Sequence, residues 1–273
     1  MWFPPALVDV AVVAVALPVS LALPHPLAPP RPLTVAAAAP SPSHASAVRS
    51  PFALRPAPGR PVPTPRTVVV SLRLRPMRIM PMGDSITDQG TMPGYRGYLL
   101  QRLQQAGKHV DYVGSRRQAG YPLTDADHEG HPGLRNDELA ALAGATVRTH
   151  QPDLVLLMAG ANDLEQGHGP TVATDRMVGL LRTIYADRPS VRVVVTTLIP
   201  DAAAPAEDVV AHNTALSQVV ASERSRGRAI SLIDVAGATG PDDYLADGVH
   251  PDDSGQRNLA AAVYPGVVGY VPR

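Results

Sequence analysis

From about residue 77 onward, short apolar runs alternate with longer segments that have helical periodicity. Alternation of this kind is typical of βαβ units, so we expect a three-layer α/β/α sandwich around a parallel sheet. The predicted strands cover residues 77–82, 109–113, 153–158, 191–198 and 229–234. The predicted helices cover residues 95–105, 137–148, 171–186, 207–226 and about 254–271.

The chain before residue 77 has a different composition. It holds 17 of the 30 prolines, together with many Ala and Ser residues, and it lacks a hydrophobic period after about residue 23. Such a segment cannot bury an apolar face, so residues 24–76 are predicted to be an extended or disordered linker. The folded domain is therefore predicted to span residues 77–273.

An apolar run occupies residues 10–23 and is interrupted by Pro18. Its length suits the apolar region of a secretory signal peptide and is short for a membrane span. Residues 1–23 are therefore interpreted as a signal peptide or an uncleaved membrane anchor, which would make the protein secreted or attached to the cell surface. No Lys or Arg precedes the run and Asp9 stands beside it; if it is not a signal, we expect a cytoplasmic protein.

Charge and cysteine content exclude several kinds of function. The formal net charge is zero, but most acidic residues follow residue 76, so the predicted domain is mildly acidic. Nucleic-acid binding needs a basic surface on the folded part, and we therefore expect no nucleic-acid partner. The absence of cysteine rules out disulfides and thiolate chemistry. We expect a monomer that contacts a membrane only through a possible N-terminal anchor.

Polar residues follow four of the predicted strands. In an open parallel sheet, ligands bind beyond the carboxyl ends of the strands, so these residues are expected at one edge. They are Asp84-Ser85, Gly114-Ser115, the Gly-Ala-Asn-Asp run at 160–163, and the loop with Asp247 and His250.

A serine becomes a nucleophile when a histidine removes its proton and a third group orients that histidine. Ser85 is the candidate nucleophile and His250 the candidate base. Asp247 lies three residues before His250, a spacing at which its carboxylate can accept a hydrogen bond from Nδ1. The alternative is an acidic loop that only caps the last helix, which Asp252 or Asp253 could do together with Gln256.

Acyl transfer also needs donors directed at the developing oxyanion. The candidates are the backbone N–H groups of Ser85 and Gly114 and the side-chain amide of Asn162. Two alternatives remain open: Gly114 could be a turn residue, and Asn162 could cap a helix.

Four short motifs of the chain resemble the four blocks of the SGNH, or GDSL, hydrolase superfamily. They are Gly-Asp-Ser at 83–85, Gly114, Gly-Ala-Asn-Asp at 160–163 and Asp247-x-x-His250. The resemblance implies a Ser85-His250-Asp247 triad and an oxyanion hole formed by Ser85, Gly114 and Asn162. It also implies a flavodoxin-like sheet with strand order 2-1-3-4-5 and catalysis without a cofactor.

Within that superfamily the chain is most similar to carbohydrate esterase family three, the acetyl xylan esterase type. The similar stretches are residues 83–87, 94–96, 111–115, 128–133 and 247–251. Leu134 departs from the pattern, because that group often has an aromatic residue there. Asp84, His128, His131 and Asp163 are candidates for contacts with the substrate.

His128 and His131 are three residues apart, whereas the helical zinc motif needs a four-residue step, so no metal site is predicted. The stretch is instead interpreted as a loop that shapes the acyl pocket, with turn formation as the alternative.

These observations predict a serine esterase that removes small acyl groups, above all acetyl, from a plant-type polysaccharide or sugar. A broader esterase or lipase for lipid or aryl esters is one alternative. A non-catalytic glycan-binding surface protein is another.

Overall fold

The structure is a computed structural model, and it describes residues 75–90, 94–117 and 124–272. The predicted signal or anchor and nearly all of the predicted linker lie outside these residues, as do the three segments between and after them. In the part of the chain that is described, no helix has the length and apolar character needed to cross a membrane.

A central sheet organises the described residues. Its strand order is β3-β4-β1-β5-β6-β7, and β2 also pairs with β1. All neighbouring strands are parallel except β3 and β4. The strands are β1 (Met77–Gly83), β2 (Val110–Tyr112), β3 (Arg116–Arg117), β4 (Asp127–Gly130), β5 (Leu154–Met158), β6 (Arg192–Thr196) and β7 (Ile230–Ile233).

Helices surround this sheet. The five predicted long helices are present, with ends within a few residues of the prediction, and two short helices follow β1 and β5. The helices are α1 (Ser85–Asp88), α2 (Gly94–Gln105), α3 (Asn136–His150), α4 (Ala161–Glu165), α5 (Gly169–Asp187), α6 (Ala206–Ser225) and α7 (Asp253–Val268).

Both faces of the sheet are buried because successive side chains of a strand point to opposite sides. On one face, Met80 and Val155 pack with residues of α3, α5 and α6. On the other, Ile79 and Leu154 pack with residues of α2 and α7. The predicted three-layer α/β/α sandwich is confirmed.

The sheet differs from the prediction in β3 and β4. The five predicted strands keep the order 2-1-3-4-5, but β2 pairs only with the first half of β1, whereas β4 pairs with Met82 and Gly83 at its end. The sequence of β4 is Asp-His-Glu-Gly, which has no apolar pattern. His128 and Glu129 of this strand are buried, and hydrogen bonds satisfy their polar atoms, so neither propensity nor periodicity predicts β4.

Candidate active site

Ser85 is the first residue of α1, directly after the carboxyl end of β1. The sharp strand-to-helix turn is held by Asp84, whose Oδ1 accepts a hydrogen bond from the backbone N–H of Ile86 at 3.0 Å. Gln89 ends the helix in a left-handed conformation, with φ 58°. The side chain of Ser85 is thereby presented at the edge of the sheet, partly exposed.

The turn before Ser85 depends on Gly83. A Cβ atom at this position would lie 1.9 Å from the backbone oxygen of Met158 in β5 and 2.6 Å from Oγ1 of Thr87. The first glycine of the Gly-Asp-Ser run is therefore required by close packing between β1, β5 and α1.

Three predicted catalytic residues come together at this edge. Nε2 of His250 lies 2.8 Å from Oγ of Ser85, and Nδ1 of His250 lies 2.8 Å from Oδ2 of Asp247. In this geometry the Ser85 hydroxyl donates to Nε2 while the Nδ1–H group donates to the carboxylate. The arrangement can therefore transfer the Ser85 proton to an oriented imidazole.

Asp247 is held by its own loop. Its Oδ1 accepts hydrogen bonds from the backbone N–H groups of His250 at 3.0 Å and Val249 at 2.9 Å. These bonds, together with the one from the His250 side chain, lower the pKa of Asp247 to about 2. The carboxylate thus stays ionised although its side chain is 48% exposed.

The loop that carries His250 is tied to its surroundings at several points. The backbone N–H of Leu245 donates to the His250 carbonyl at 2.8 Å, and that of Ala202 donates to the Gly248 carbonyl at 2.9 Å. Nε2 of Gln89 in turn donates to the Pro251 carbonyl at 3.2 Å, which links the loop to the end of α1. Nucleophile and base are therefore fixed relative to each other by direct contacts.

The last helix begins just after this loop. Asp252 caps α7 by accepting from the N–H of Gly255 at 2.9 Å, and Gln256 accepts from the N–H of Tyr95 in α2 at 2.7 Å. The capping alternative and the catalytic interpretation therefore apply to different residues of the same segment, since Asp247 and His250 take no part in the cap.

A cavity of about 430 Å³ opens beside the Ser85 and His250 side chains. Of its lining residues, sequence reasoning had named Ser85 and His250. Leu245 stands between Tyr244 and Ala246, two positions before Asp247, and no sequence pattern marks it as a wall residue. The other lining residues are Asp88, Gln89, Gly90, Pro132 and Leu245.

Asp84 does not reach the cavity. It is 2% exposed, and burial raises the pKa of its carboxyl to about 7 against the effect of the Ile86 N–H bond. The structure therefore gives Asp84 a role in capping α1 in place of the predicted contact with the substrate.

Gly114 also lies away from the cavity walls. A Cβ atom there would be 2.1 Å from the backbone oxygen of His128 in β4, so β2 and β4 can approach only if this residue is glycine. The structure thus supports close packing as the reason for Gly114, and β4 takes the place beside the end of β1 where its N–H was expected.

His128 and His131 contact protein groups. His128 is 1% exposed, its Nδ1 accepts from the Gly130 N–H at 3.0 Å, and burial lowers its pKa to about 3. Nε2 of His131 lies 2.6 Å from Oε1 of Glu129. The Glu129 side chain is 2% exposed, and its carboxylate also accepts hydrogen bonds from the backbone N–H and the hydroxyl of Ser115. The structure therefore assigns both histidines to a polar network around β4.

Asn162 and Asp163 have separate environments in α4. Asn162 is 8% exposed, and its side-chain amide makes no hydrogen bond with any described residue, which leaves its N–H groups available. Asp163 is fully buried and accepts from the N–H of Asn136 and from Arg176, both at 2.9 Å. Asp163 therefore caps α3 and is not accessible to a substrate.

Two other charged groups lie near the triad. Burial raises the pKa of Glu165, and the charge of Asp201 raises it further. Within the described ranges, no group of three or more His, Asp or Glu side chains has an arrangement that could hold a metal ion.

Comparison with known proteins agrees with this geometry. The model of the GDSL-like Lipase/Acylhydrolase family matches residues 82–257, which include Ser85, Asn162, Asp247 and His250.

Individual relatives are also esterases. A family 3 carbohydrate esterase from Clostridium thermocellum is 28% identical, covers 72% of this chain and 98% of its own, and superposes with a TM-score of 0.65. An acetyl esterase solved with an acetate ion is 27% identical over 71% of this chain and 97% of its own, also with a TM-score of 0.65. A multidomain esterase of Ruminococcus flavefaciens is 29% identical over 71% of this chain, which spans only 29% of that relative.

Proposed function

Since this chain belongs to the GDSL-like lipase/acylhydrolase family and is a carboxylic ester hydrolase, we propose that it removes acetyl groups from carbohydrates through a Ser85-His250-Asp247 triad. The observation that carries the proposal is the continuous line of hydrogen bonds from Ser85 through His250 to Asp247, each 2.8 Å long. This is the geometry that an activated serine requires.

The reaction has two steps. Oγ of Ser85 attacks the ester carbonyl while Nε2 of His250 takes its proton, and the sugar hydroxyl leaves with that proton as the acetyl-serine ester forms. A water molecule then attacks the acetyl carbon and gives its proton to His250. Acetate leaves and Ser85 recovers the proton. Asp247 holds the imidazole in the tautomer that each transfer needs.

Oxyanion stabilisation requires donors beside Ser85. The Ser85 N–H at the start of α1 and the unpaired amide of Asn162 are two of them. For the third we propose the loop after β4 in place of Gly114, because Pro132 of that loop lines the cavity. Pro132 has no N–H, and the N–H groups of His131 and Leu134 bond to the carbonyls of Gly83 and His131. The N–H of Gly133, a residue with φ 78°, is therefore the donor that we propose from this loop.

Two observations support acetyl as the acyl group. The cavity of about 430 Å³ at Ser85 can hold an acetyl group together with the sugar that carries it. A structural relative with 27% identity is an acetyl esterase that was solved with acetate. The carbohydrate esterase relative supports a sugar as the alcohol.

Acetate release from acetylated xylan and labelling by a serine-directed phosphonate test the proposal. We expect Ser85→Ala to remove the label and to lower kcat for acetate release by at least roughly a thousandfold. Ser222→Ala, at an exposed serine of α6, is the matched control and should behave like the wild type. A phosphonate adduct on another serine would overturn the mechanism. Activity confined to long-chain esters would overturn the acetyl carbohydrate assignment and favour a lipase.

A further inference from the structure

A second cavity of about 440 Å³ adjoins the catalytic one. It lies between the loop after β6 and the loop that leads to Asp247 and His250. Its walls include Pro200, Asp201, Thr239, Pro241, Tyr244 and Leu245.

Leu245 connects the two cavities. It lines the catalytic cavity with Ser85 and His250, and it lines the second cavity from the other side. Leu245 is also 41% exposed, which is unusual for a large apolar side chain of this domain. A ligand longer than one sugar ring that is held at Ser85 would therefore pass over Leu245 into the second cavity.

The second cavity offers the groups that bind sugar rings. Pro200, Pro241 and Tyr244 form an apolar wall against which the C–H face of a ring can pack. The Tyr244 hydroxyl is held in place by the Thr239 hydroxyl at 2.7 Å and by the Pro200 carbonyl. The wall is therefore fixed before a ligand arrives, which lowers the entropic cost of binding.

Asp201 supplies a polar anchor. Its Oδ1 accepts from the backbone N–H groups of Ala203 and Ala204, both at 2.8 Å. Its Oδ2 makes no hydrogen bond with any residue that the structure describes. A pre-oriented carboxylate with one unused oxygen can accept a hydrogen bond from a sugar hydroxyl.

The charges around both cavities select the type of saccharide. Among the described residues that line them, Asp88 and Asp201 are acidic and none is Lys or Arg. Asp88 is ion-paired with Arg116 at 3.2 Å, so it is the unused oxygen of Asp201 that would repel an anionic sugar in the second cavity. The walls therefore suit a neutral sugar better than a uronic acid.

We propose that the second cavity is a subsite for a neutral sugar ring next to the acetylated one, with Asp201 as its hydroxyl acceptor. The inference rests on the proposed function. It makes the protein an esterase that prefers neutral acetylated oligosaccharides to acetylated monosaccharides.

The test compares kcat/KM for an acetylated xylo-oligosaccharide, an acetylated xylose and an aryl acetate. We expect the wild type to favour the oligosaccharide over the monosaccharide by roughly tenfold, mainly through a lower KM. Asp201→Asn keeps an oxygen that can accept from the N–H groups of Ala203 and Ala204, but it removes the charge. It should reduce the ratio of kcat/KM for the oligosaccharide to kcat/KM for the aryl acetate by roughly five- to twentyfold. Gly240→Leu, which narrows the cavity, should reduce the same ratio.

Glu207→Gln is the matched control. Glu207 is exposed at the start of α6 and lines neither cavity, so its loss of charge should leave the ratio unchanged. Equal kcat/KM for the acetylated oligosaccharide and xylose, or unchanged ratios in both cavity variants, would overturn the subsite and leave the proposed esterase intact. Hydrolysis of aryl acetate without release of acetate from any saccharide would overturn the proposed substrate class itself.

Discussion

The buried carboxyl of Asp84 should make the protein less stable as the pH rises through neutrality. Burial raises the pKa of Asp84 from 3.8 to about 7, so the folded state holds its proton over a range in which the unfolded state has lost it. Stability then falls with rising pH between these two values, because the folded state binds more protons. Asp84→Asn keeps an acceptor for the Ile86 N–H but cannot ionise, so it should remove this dependence.

The size of the effect follows from the shift. A change of roughly three pKa units corresponds to about 4 kcal/mol, at 1.36 kcal/mol for each unit. With values of 3.8 and about 7, roughly 2.5 kcal/mol of this loss falls between pH 5 and pH 8. The free energy of unfolding of Asp84→Asn, relative to the wild type, should therefore increase by that amount over this interval.

Urea denaturation of both proteins at pH 5, 6, 7 and 8 measures the difference, and other titrating groups cancel because both proteins contain them. Asp252→Asn is the control, since Asp252 caps α7 through a similar hydrogen bond but is partly exposed. For that variant we expect a nearly constant difference across the pH range. A constant difference for Asp84→Asn as well would refute the reasoning.

Four further substitutions have expected outcomes. Gly83→Ala should lower the free energy of unfolding by roughly 3 kcal/mol or more, because the new Cβ would meet Met158. Gly179→Ala, at a helical position with open space, should raise it by about 0.5–1 kcal/mol. Thermal unfolding should therefore show a lower Tm for the first variant and a higher Tm for the second. Asp247→Asn should lower kcat by roughly a hundred- to ten-thousandfold in a steady-state acetate assay. Its Tm should change little, since the hydrogen bonds from the backbone N–H groups of Val249 and His250 can persist. A wild-type kcat would contradict the triad. Glu129→Gln should cost roughly 1–3 kcal/mol at pH 7. Glu129 is buried, which raises its pKa, but hydrogen bonds from His131 and Ser115 outweigh burial and lower it from 4.5. The ionised Glu129 side chain therefore stabilises the folded state above pH 4.5, and this stabilisation is lost as the pH falls through its lowered pKa. Urea denaturation should show a smaller loss of stability for Glu129→Gln at pH 3 than at pH 7. An unchanged loss at pH 3 would refute this account.

The layers of the fold could be predicted from the sequence because apolar residues dominate the inner strands. Residues such as Val155 and Leu156 point to opposite faces and are both buried, so β5 appears as a continuous apolar run. The same logic fails for β4, because its buried Glu129 is stabilised by polar partners in other elements and loops, among them Ser115 and Thr146. Only the tertiary structure reveals that such a strand is buried.

The site was predictable to the extent that its geometry is local. Asp247 and His250 interact within one turn, so their spacing alone indicated the contact. Gly114 was misplaced because a glycine after a strand carries no mark that distinguishes a donor from a packing contact, and the intervening β4 was unknown. Pro132 directly follows the His128–His131 stretch that was interpreted as shaping the acyl pocket, whereas Leu245 could not be identified, since a cavity wall is defined by distance in space.

The hydrogen bond between Ser85 and His250 joins residues 165 positions apart. Ser85 leaves the ribosome early, at the end of the first strand of the sheet, whereas its base follows only after β7 has been made. Under the proposed triad mechanism, a growing or truncated chain that stops before residue 250 carries a serine without its base, however much of the sheet has formed. The same mechanism predicts that hydrolytic activity arises late in biosynthesis, once residue 250 has been made, and α7 then ties this segment to α2 through Gln256, which contacts Tyr95 and the Pro251 carbonyl.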